Sequence, residues 1–584
     1  MAAPTKKLIN SVETCVDDSI DGYVGRNPGV TRVGRTKIVV RTDLQQYKAQ
    51  GKVCVLSGGG SGHEPLIMGY VGPGMLTGAV HGAVFAAPGS KAVFTALSVL
   101  GTDHPAGVLV LFNNYTGDRL NFGIGIQRAQ AAGIKVAVSI LGEDCAGYGN
   151  TQTGRRGLTG CVIMYKVAGA LAEQGKSLPE ILEFVQKVAN NMGTMGVCLA
   201  PCSVPGGPPM FDLGPENMEF GLGLHGEAGV LRVKMVSAKE AVSNIIDHMT
   251  DEKNPACIKV KSGDQVAILL NNLGATSDLE MNIVMKEVLE YLDKKGVQVI
   301  RAFSGRFGTS LEMAGLSVTV LILHDNFLQC LDAECGVPSW MPPIPVSCDV
   351  TKPNFDKVLD ASAAEAQGNF CTASEEQQQK LKLALQAVCT AMPQAESVLN
   401  QLDSSAGDGD CGTTLKSGAQ AILVELEQGS LCLSRPGLLL SQLSALSEAH
   451  MGGTSGALYS LYLMAASREL AADCSPQGWL KAMAAGLDTV KQYGQAQLGD
   501  RTMVDALEPA IDTLKEKLDS ERPLVALTAA SQAAQESAEA TAQMKAGAGR
   551  ATYVNPDLLT QPDPGAMAVA LIIQSVCQVL QDTE

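Results

Sequence analysis

The chain has 584 residues, 46% of them hydrophobic and 18% charged, with 60 acidic against 44 basic side chains and a formal charge of -16. That length exceeds one ordinary core and implies two domains, and the composition excludes a disordered chain. The acidic balance, with no long basic run, excludes a nucleic-acid surface, which needs clustered cations to displace counterions from phosphates.

The N-terminal MAAPTKKLINSVETC holds an acidic residue and no apolar signal region, and no uninterrupted apolar stretch of about 18 residues follows. The expectation is a cytosolic (cytoplasmic) protein without a membrane partner. The 16 cysteines are scattered and contain no C-x-x-C. The nearest pairs, Cys198/Cys202 and Cys330/Cys335, lack the further ligands of a zinc site, so reduced, mostly buried thiols are expected.

From about residue 36 to 330, β-branched runs (TKIVVRT, KVCVLS, GVLVLF, IKVAVSI, DQVAILL, VQVIRAF, LSVTVLIL) alternate with helical patterns, which predicts an α/β domain over 1-335. Glycine-rich turns, SGGGSGHEP and NNYTGD, are expected after two of these strands, where ligands of open α/β sheets gather. Pro338, Pro342, Pro343, Pro345 and Pro353 mark residues 336-374 as a proline-rich linker. Over 375-584 strand patterns vanish and roughly eight amphipathic segments predict an all-α domain.

The sharpest chemical signal is LDSSAGDGDCGTT, which places Asp403, Asp408 and Asp410 within eight residues. Carboxylates so close repel unless a cation intervenes, and hard oxygen ligands suit Mg²⁺ bound together with substrate phosphates. Gly412, Thr413 and Thr414 offer backbone N–H groups and hydroxyls at a helix start. One Asp would suffice merely to cap that helix. Four further glycine-rich breaks, MGGTSGALY, LGDRTM, AGAGRA and QPDPGA, strengthen the functional reading if they converge on one nucleotide. Gly175-Lys176-Ser177 has the end of a P-loop, but its glycine reads more simply as a helix stop. His63 in SGGGSGHEP, His225 in GLGLHGEAGV and Asp118 in NNYTGDRLNF lie among small residues and form a candidate acid, base and nucleophile set. His81, His104, His248, His324 and His450 are read as structural.

The ordered set GGGSGHEP, NYTGDRLNF, GRRGL, GLGLHGEAGV, GDGDCGTT, MGGTSGALY, GDRTM, GAGRA and QPDPGA resembles the ATP-dependent dihydroxyacetone kinase family, in its animal branch, over nearly the whole chain. The resemblance implies an N-terminal α/β substrate domain and a C-terminal all-helical barrel for ATP. By this carry-over His225 bonds covalently to the substrate carbonyl as a hemiaminal, Asp118 is the base, and His63 supports the substrate oxygen by hydrogen bonding or proton transfer. Gly60, Ser61, Gly62, His63, Asn113 and Asp118 line the substrate pocket. The implied nucleotide contacts are Gly409, Asp410, Cys411, Gly412, Thr413, Thr414, Ser455, Gly456, Gln495, Met503, Val504, Arg550, Asp563, Pro564 and Gly565, with Asp403, Asp408 and Asp410 holding the metal.

The resemblance further implies a homodimer, and a second, FAD-AMP lyase reaction that releases AMP and riboflavin cyclic 4′,5′-phosphate with Mn²⁺ or Co²⁺ in place of Mg²⁺. An innate immune sensor is a partner of some relatives, with no residue here to mark the surface. Asn113 and Gln495 stand where the family has lysines, which predicts slower kinase turnover. The alternative expectation is a regulatory protein that binds nucleotide and carbonyl compound without turnover.

Overall fold

The β-branched runs form two sheets within the first of two compact units, Met1–Thr351 and Lys352–Glu584. The computed structural model describes residues 5–147, 154–324, 326–341, 344–346 and 370–583.

The first sheet contains β1 (Val30–Arg32), β2 (Ile38–Arg41), β3 (Cys54–Ser61), β4 (Gly78–Val84), β5 (Val108–Asn113) and β6 (Val136–Leu141), in the order β1-β2-β4-β3-β5-β6. Strands β4, β3, β5 and β6 are parallel, and β1 and β2 are antiparallel additions. The second contains β7 (Met192–Ala200), β8 (Asn217–Phe220), β9 (Leu231–Lys234), β10 (Gln265–Asn272), β11 (Gln298–Gly305), β12 (Ala314–Ile322) and β13 (Ile344–Pro345). Its order is β13-β11-β10-β12-β7-β8-β9, with β10 and β11 parallel. The helices are α1 (Cys15–Arg26), α2 (Leu44–Ala49), α3 (Ser90–Gly101), α4 (Thr116–Ala131), α5 (Cys161–Glu173), α6 (Leu178–Asn190), α7 (Ala238–Thr250), α8 (Asp278–Lys294) and α9 (Phe327–Asp332).

Side chains alternate across each strand, and in β3, β5, β10 and β12 both faces are covered, which is why those runs are largely apolar. Leu56, Val108, Val110 and Phe112 pack with Leu97 of α3 and Phe122 of α4, whereas Val55, Leu109 and Leu111 face α5. The same core continues through α5 to Ala267, Leu269 and Phe303 of the second sheet, whose far face buries Ile268 and Val318 against Ile245 of α7 and Val288 of α8. Every residue of α5 from Cys161 to Ala172 is buried, as expected of a helix apolar all round. Each buried aliphatic side chain contributes about 1.5–3 kcal/mol, so the shared helix holds the two sheets together firmly.

Several expectations are corrected. The glycines after KVCVLS are not a turn: β3 runs through Ser61 and the turn begins at Gly62. The strand MGTMGVCLA (β7) carries only one β-branched pair and escaped the pattern, although it is nearly all buried. Residues 336–341 and 344–346, expected in the linker, belong to the α/β unit, because Val337 and Trp340 are buried in its core and Ile344–Pro345 pairs with β11. Pro342, Pro343 and Pro353 lie outside the described residues. As expected, the Gly175-Lys176-Ser177 sequence is a helix stop and start: Gly175 has φ +75° after α5, and Ser177 and Glu180 form the capping box of α6.

The second unit is all helical, with eight α-helices among its described residues: α10 (Glu375–Asp403), α11 (Cys411–Gln428), α12 (Pro436–Met451), α13 (Gly453–Glu469), α14 (Pro476–Gly494), α15 (Val504–Lys517), α16 (Pro523–Ala540) and α17 (Pro564–Asp582). Each packs on the next and α17 returns to α10, closing a ring. The ring encloses an apolar cavity of about 620 Å³. Helix α17 is long and apolar enough by length and composition to cross a membrane, but Ala566, Val569, Ala570 and Ile573 are buried among α14, α15 and α16 residues.

Candidate functional site

In the α/β unit the loop between β8 and β9 carries His225. Its Nδ1 donates to Glu227 Oε1 at 2.9 Å, and its backbone N–H donates to Glu227 Oε2 at 3.1 Å. A carboxylate only accepts, so the proton sits on Nδ1 and the Nε2 lone pair is left for chemistry. Glu227 is held down at about 2: burial opposes this, and the hydrogen bonds from the His225 ring and backbone outweigh it.

The His225 ring meets three others edge-on, at centroid distances of 4.9 Å to His63, 5.3 Å to Phe85 and 4.7 Å to Tyr115. His63 is stacked on Phe85 at 4.8 Å, and its Nδ1 donates to the Thr309 carbonyl at 2.8 Å. Burial, reinforced by His225, pushes His63 down to about 3, so it is neutral and its Nε2 accepts. Phe85 holds φ +56°, a strained value for a non-glycine residue, directly beneath this pair. The glycines of SGGGSGH make room for it: a Cβ on Gly60 would lie 2.8 Å from the Ala86 nitrogen, and Gly62 has φ +94° beside the Phe85 ring. Ser61 spends its hydroxyl on the Gly82 carbonyl at 3.0 Å, so it shapes the pocket wall through structure.

Asp118 sits in the first turn of α4 and is 7% exposed, with Oδ1 lacking a hydrogen-bond partner. Burial pushes its carboxyl up to about 7, partly offset by His225. Asn113, at the end of β5, leaves its side-chain oxygen buried without a partner. His63, His225 and Asp118 are thus brought together as the motifs suggested. Glu227, Phe85, Tyr115 and Thr309 were missed as functional; Glu227 and Tyr115 lie inside HGEAG and NYTGD, but nothing sequential points to Phe85 or Thr309.

In the helical unit, Asp403, Asp408 and Asp410 each offer an oxygen within 4.8 Å of the others. Edges of a magnesium octahedron built on bonds of about 2.0–2.1 Å fall inside that span, so the three fit such an ion. Asp403 Oδ2 accepts from the backbone N–H groups of Gly409, Asp410 and Cys411 at 3.0, 2.9 and 3.2 Å, which wraps the loop around it. Asp408 is ion-paired to Arg550, which pulls its carboxyl below the usual range. Asp410 is pushed up by partial burial and by Asp408.

The glycine-rich breaks do converge. Ala406 of the acidic loop packs with Ala551 and Leu559, Gly547 donates to the Asp500 carbonyl at 3.0 Å, and Arg501 donates to the Gln561 carbonyl at 2.7 Å. A Cβ on Gly565 would lie 3.5 Å from that of Met503, and Met451, Tyr459 and Cys411 share one cluster with Met567. Asp563 caps α17 through the Ala566 N–H at 2.8 Å and is pushed up to about 6, chiefly by burial. Val504 and Pro564 are buried beside it, Gly456 packs on Ser447 and Met451, and Ser455 is half-buried at the start of α13. Gln495 is exposed after α14 with φ 53°.

Two of the expected nucleotide contacts also have a structural task here. Thr413 is already engaged: its N–H donates to Asn400 Oδ1 at 3.1 Å, its hydroxyl accepts from Asn400 Nδ2 at 2.9 Å and donates to Glu396 at 3.2 Å. Gly412 is required by close packing of α11 on α10, since a Cβ there would run into the Glu396 carbonyl. Arg501, fully buried with Nη1 3.9 Å from Asp563, was missed although it stands in the LGDRTM break.

The order of domains and the two acid-bearing sites define a class, and the comparisons identify it. The chain matches the Dak1 domain over residues 21–339 and the DAK2 domain over residues 405–578. It belongs to the dihydroxyacetone kinase family. It is 43% identical to human triokinase/FMN cyclase, over 99% of this chain and 100% of that protein. It is also similar to the solved dihydroxyacetone kinase of C. freundii in complex with AMP-PNP and Mg²⁺, with 31% identity and a TM-score of 0.63 over 99% of this chain and 100% of that one. A dihydroxyacetone kinase operon co-activator aligns with 56% of this chain and 98% of its own, at 29% identity and a TM-score of 0.52.

Proposed function

We propose that the chain phosphorylates dihydroxyacetone and D-glyceraldehyde with ATP, and that its nucleotide loops also split FAD into AMP and riboflavin cyclic 4′,5′-phosphate. The observation that carries the reading is His225 held through Nδ1 by Glu227, beside a neutral His63 and an Asp118 poised near 7. His225 Nε2 attacks the carbonyl carbon and forms a C–N bond. The carbonyl oxygen becomes a hydroxyl, gaining the proton that the imidazole gives up, and Glu227 stabilises the transient positive charge on the ring. His63, neutral with Nε2 open, accepts a hydrogen bond from the new hydroxyl, a narrower role than the donor or acceptor expected from the sequence. Glycerol has no carbonyl and forms no adduct.

The adduct fixes the terminal hydroxyl, turning an encounter into a positioned reaction. Asp118 takes its proton as the oxygen attacks the γ-phosphorus and the bond to ADP breaks. A base near 7 is better matched to neutral pH than an ordinary carboxylate. In the helical unit, Asp403, Asp408 and Asp410 would hold Mg²⁺, which when bound neutralises phosphate charge. Arg550, Asp563 and the loops around Gly409, Ser455 and Met503 would then position the triphosphate. The same carboxylates would take Mn²⁺ or Co²⁺ for FAD cleavage. The family resemblance supports a cytosolic homodimer.

Mass spectrometry with dihydroxyacetone, beside ATP consumption with Mg²⁺ and FAD cleavage with Mn²⁺, tests this reading. The expected result is a covalent adduct and kinase turnover, both lost in His225→Ala while FAD cleavage survives. Wild type without adduct and without ATP consumption would leave the regulatory-protein reading in its place.

A further inference from the structure

Where the chain enters the helical ring, residues Phe370 to Ala373 lie along its wall. The Phe370 ring rests against Gly437 of α12, the Cys371 N–H donates to the Ala471 carbonyl at 2.8 Å, and the Ala373 N–H donates to the Ser434 carbonyl at 2.9 Å. The loop between α13 and α14 forms the other side. It is itself fixed, since Asp473 accepts from the Ser475 N–H at 2.9 Å and Ser475 caps α14 through Gly478. Between these two held segments stand two half-buried thiols. Cys371 Sγ donates to the Leu470 carbonyl at 3.1 Å and Cys474 Sγ donates to the Thr372 carbonyl at 3.8 Å, so each thiol reaches the backbone of the segment that carries the other.

We propose that Cys371 and Cys474 form a reversible disulfide, an oxidation-sensitive clasp that ties the entry strand to the ring. The pairing crosses a long stretch of sequence, so no spacing rule would single it out. Both partners approach on backbone fixed by other bonds, which is what bridging without rearrangement demands. Hydrogen peroxide is a sufficient oxidant: one thiol is oxidised to a sulfenic acid with release of water, and the other displaces hydroxyl from it, forming the S–S bond and a second water. Burial and the neighbouring Cys474 push the Cys371 thiol up to about 12, which keeps it protonated until an oxidant is supplied.

The consequence is local. Ala373 and Cys474 both line the apolar cavity, so the clasp closes its rim. With the thiols reduced, the entry segment is held by hydrogen bonds and one aromatic contact alone. With the disulfide formed, a loop of roughly 100 residues is covalently closed, which restricts the unfolded chain. The inference is independent of the kinase reading.

The test uses the full-length chain, reduced, freed of reductant, exposed to hydrogen peroxide, then alkylated and digested without reduction. The expected result is one linked peptide pair joining Cys371 to Cys474, lighter by two hydrogens and released by dithiothreitol. The melting transition of the helical unit should rise by about 5 °C or more, and Cys371→Ser or Cys474→Ser should abolish that shift. Sulfinic acid at either cysteine without the linked pair, or linkage of either to another cysteine, would overturn the proposal. The peptide mapping is done on wild type, so it stands even if a serine variant folds poorly.

Discussion

The two candidate sites solve opposite electrostatic problems. The imidazole pocket of the α/β unit is dry: His63 is buried and neutral, and Asp118 is buried and pushed up to about 7. Its polar groups are tuned by desolvation and by fixed partners. The acidic loop of the helical unit is wet, with Asp408 and Asp410 exposed, Arg550 paired with Asp408, and backbone N–H groups gathered on Asp403. Low dielectric sharpens a few groups in the first case; in the second, charge density awaits a cation. Site chemistry is therefore carried by burial in one region and by ion binding in the other.

That contrast can be broken in order of expected effect. Asp118→Asn should lower kinase kcat by about 10²–10⁴-fold, the range for removing a general base, and leave FAD cleavage intact. Asp118 is protonated below its raised pKa and ionised above it. Wild-type kcat should therefore climb as pH rises through about 7, and the Asn variant should lose that limb. Asp410→Asn should reduce both reactions by roughly 100-fold at low metal, with recovery as metal is raised, because ion affinity and not the pocket is damaged. Loss of only one reaction would show that the two do not share the loop.

Glu227→Gln should slow adduct formation by about 10-fold while ATP binding is unchanged. Glutamine keeps a hydrogen bond to the ring but removes the charge that balances imidazolium, so a rate equal to wild type would deny Glu227 that role. The smallest effect is expected from Asn113→Lys with Gln495→Lys, a gain of about 2- to 5-fold in kinase turnover. No gain would show that neither missing cation limits phosphoryl transfer.

Much of this was legible from local pattern. Asp403, Asp408 and Asp410 stand within eight residues, and a loop that short must bring them together. His225 with Glu227 is likewise local, although the carboxylate was passed over. The seven expected strands appear because β-branched runs leave a strong apolar signal, most continuous in β3, β5, β10 and β12, which are buried on both faces. By contrast β7, in which Met, Gly, Cys and Leu outnumber its two β-branched residues, becomes a strand through its neighbours β12 and β8. Trp340 shows the same limit among prolines: the sequence reads as a linker, while the core accepts one large ring and recruits the segment.

The amino-acid sequence by itself determined the fold class of each half, the acidic loop and the identity of the three polar residues in the carbonyl pocket, because periodicity and short-range spacing act over a few residues. Only the tertiary structure decided that His63 is neutral, that Asp118 titrates near 7, that Thr413 and Gly412 serve helix packing, and that Cys371 meets Cys474. Those properties depend on desolvation and on contacts between distant segments, and neither quantity exists until the chain has closed around them.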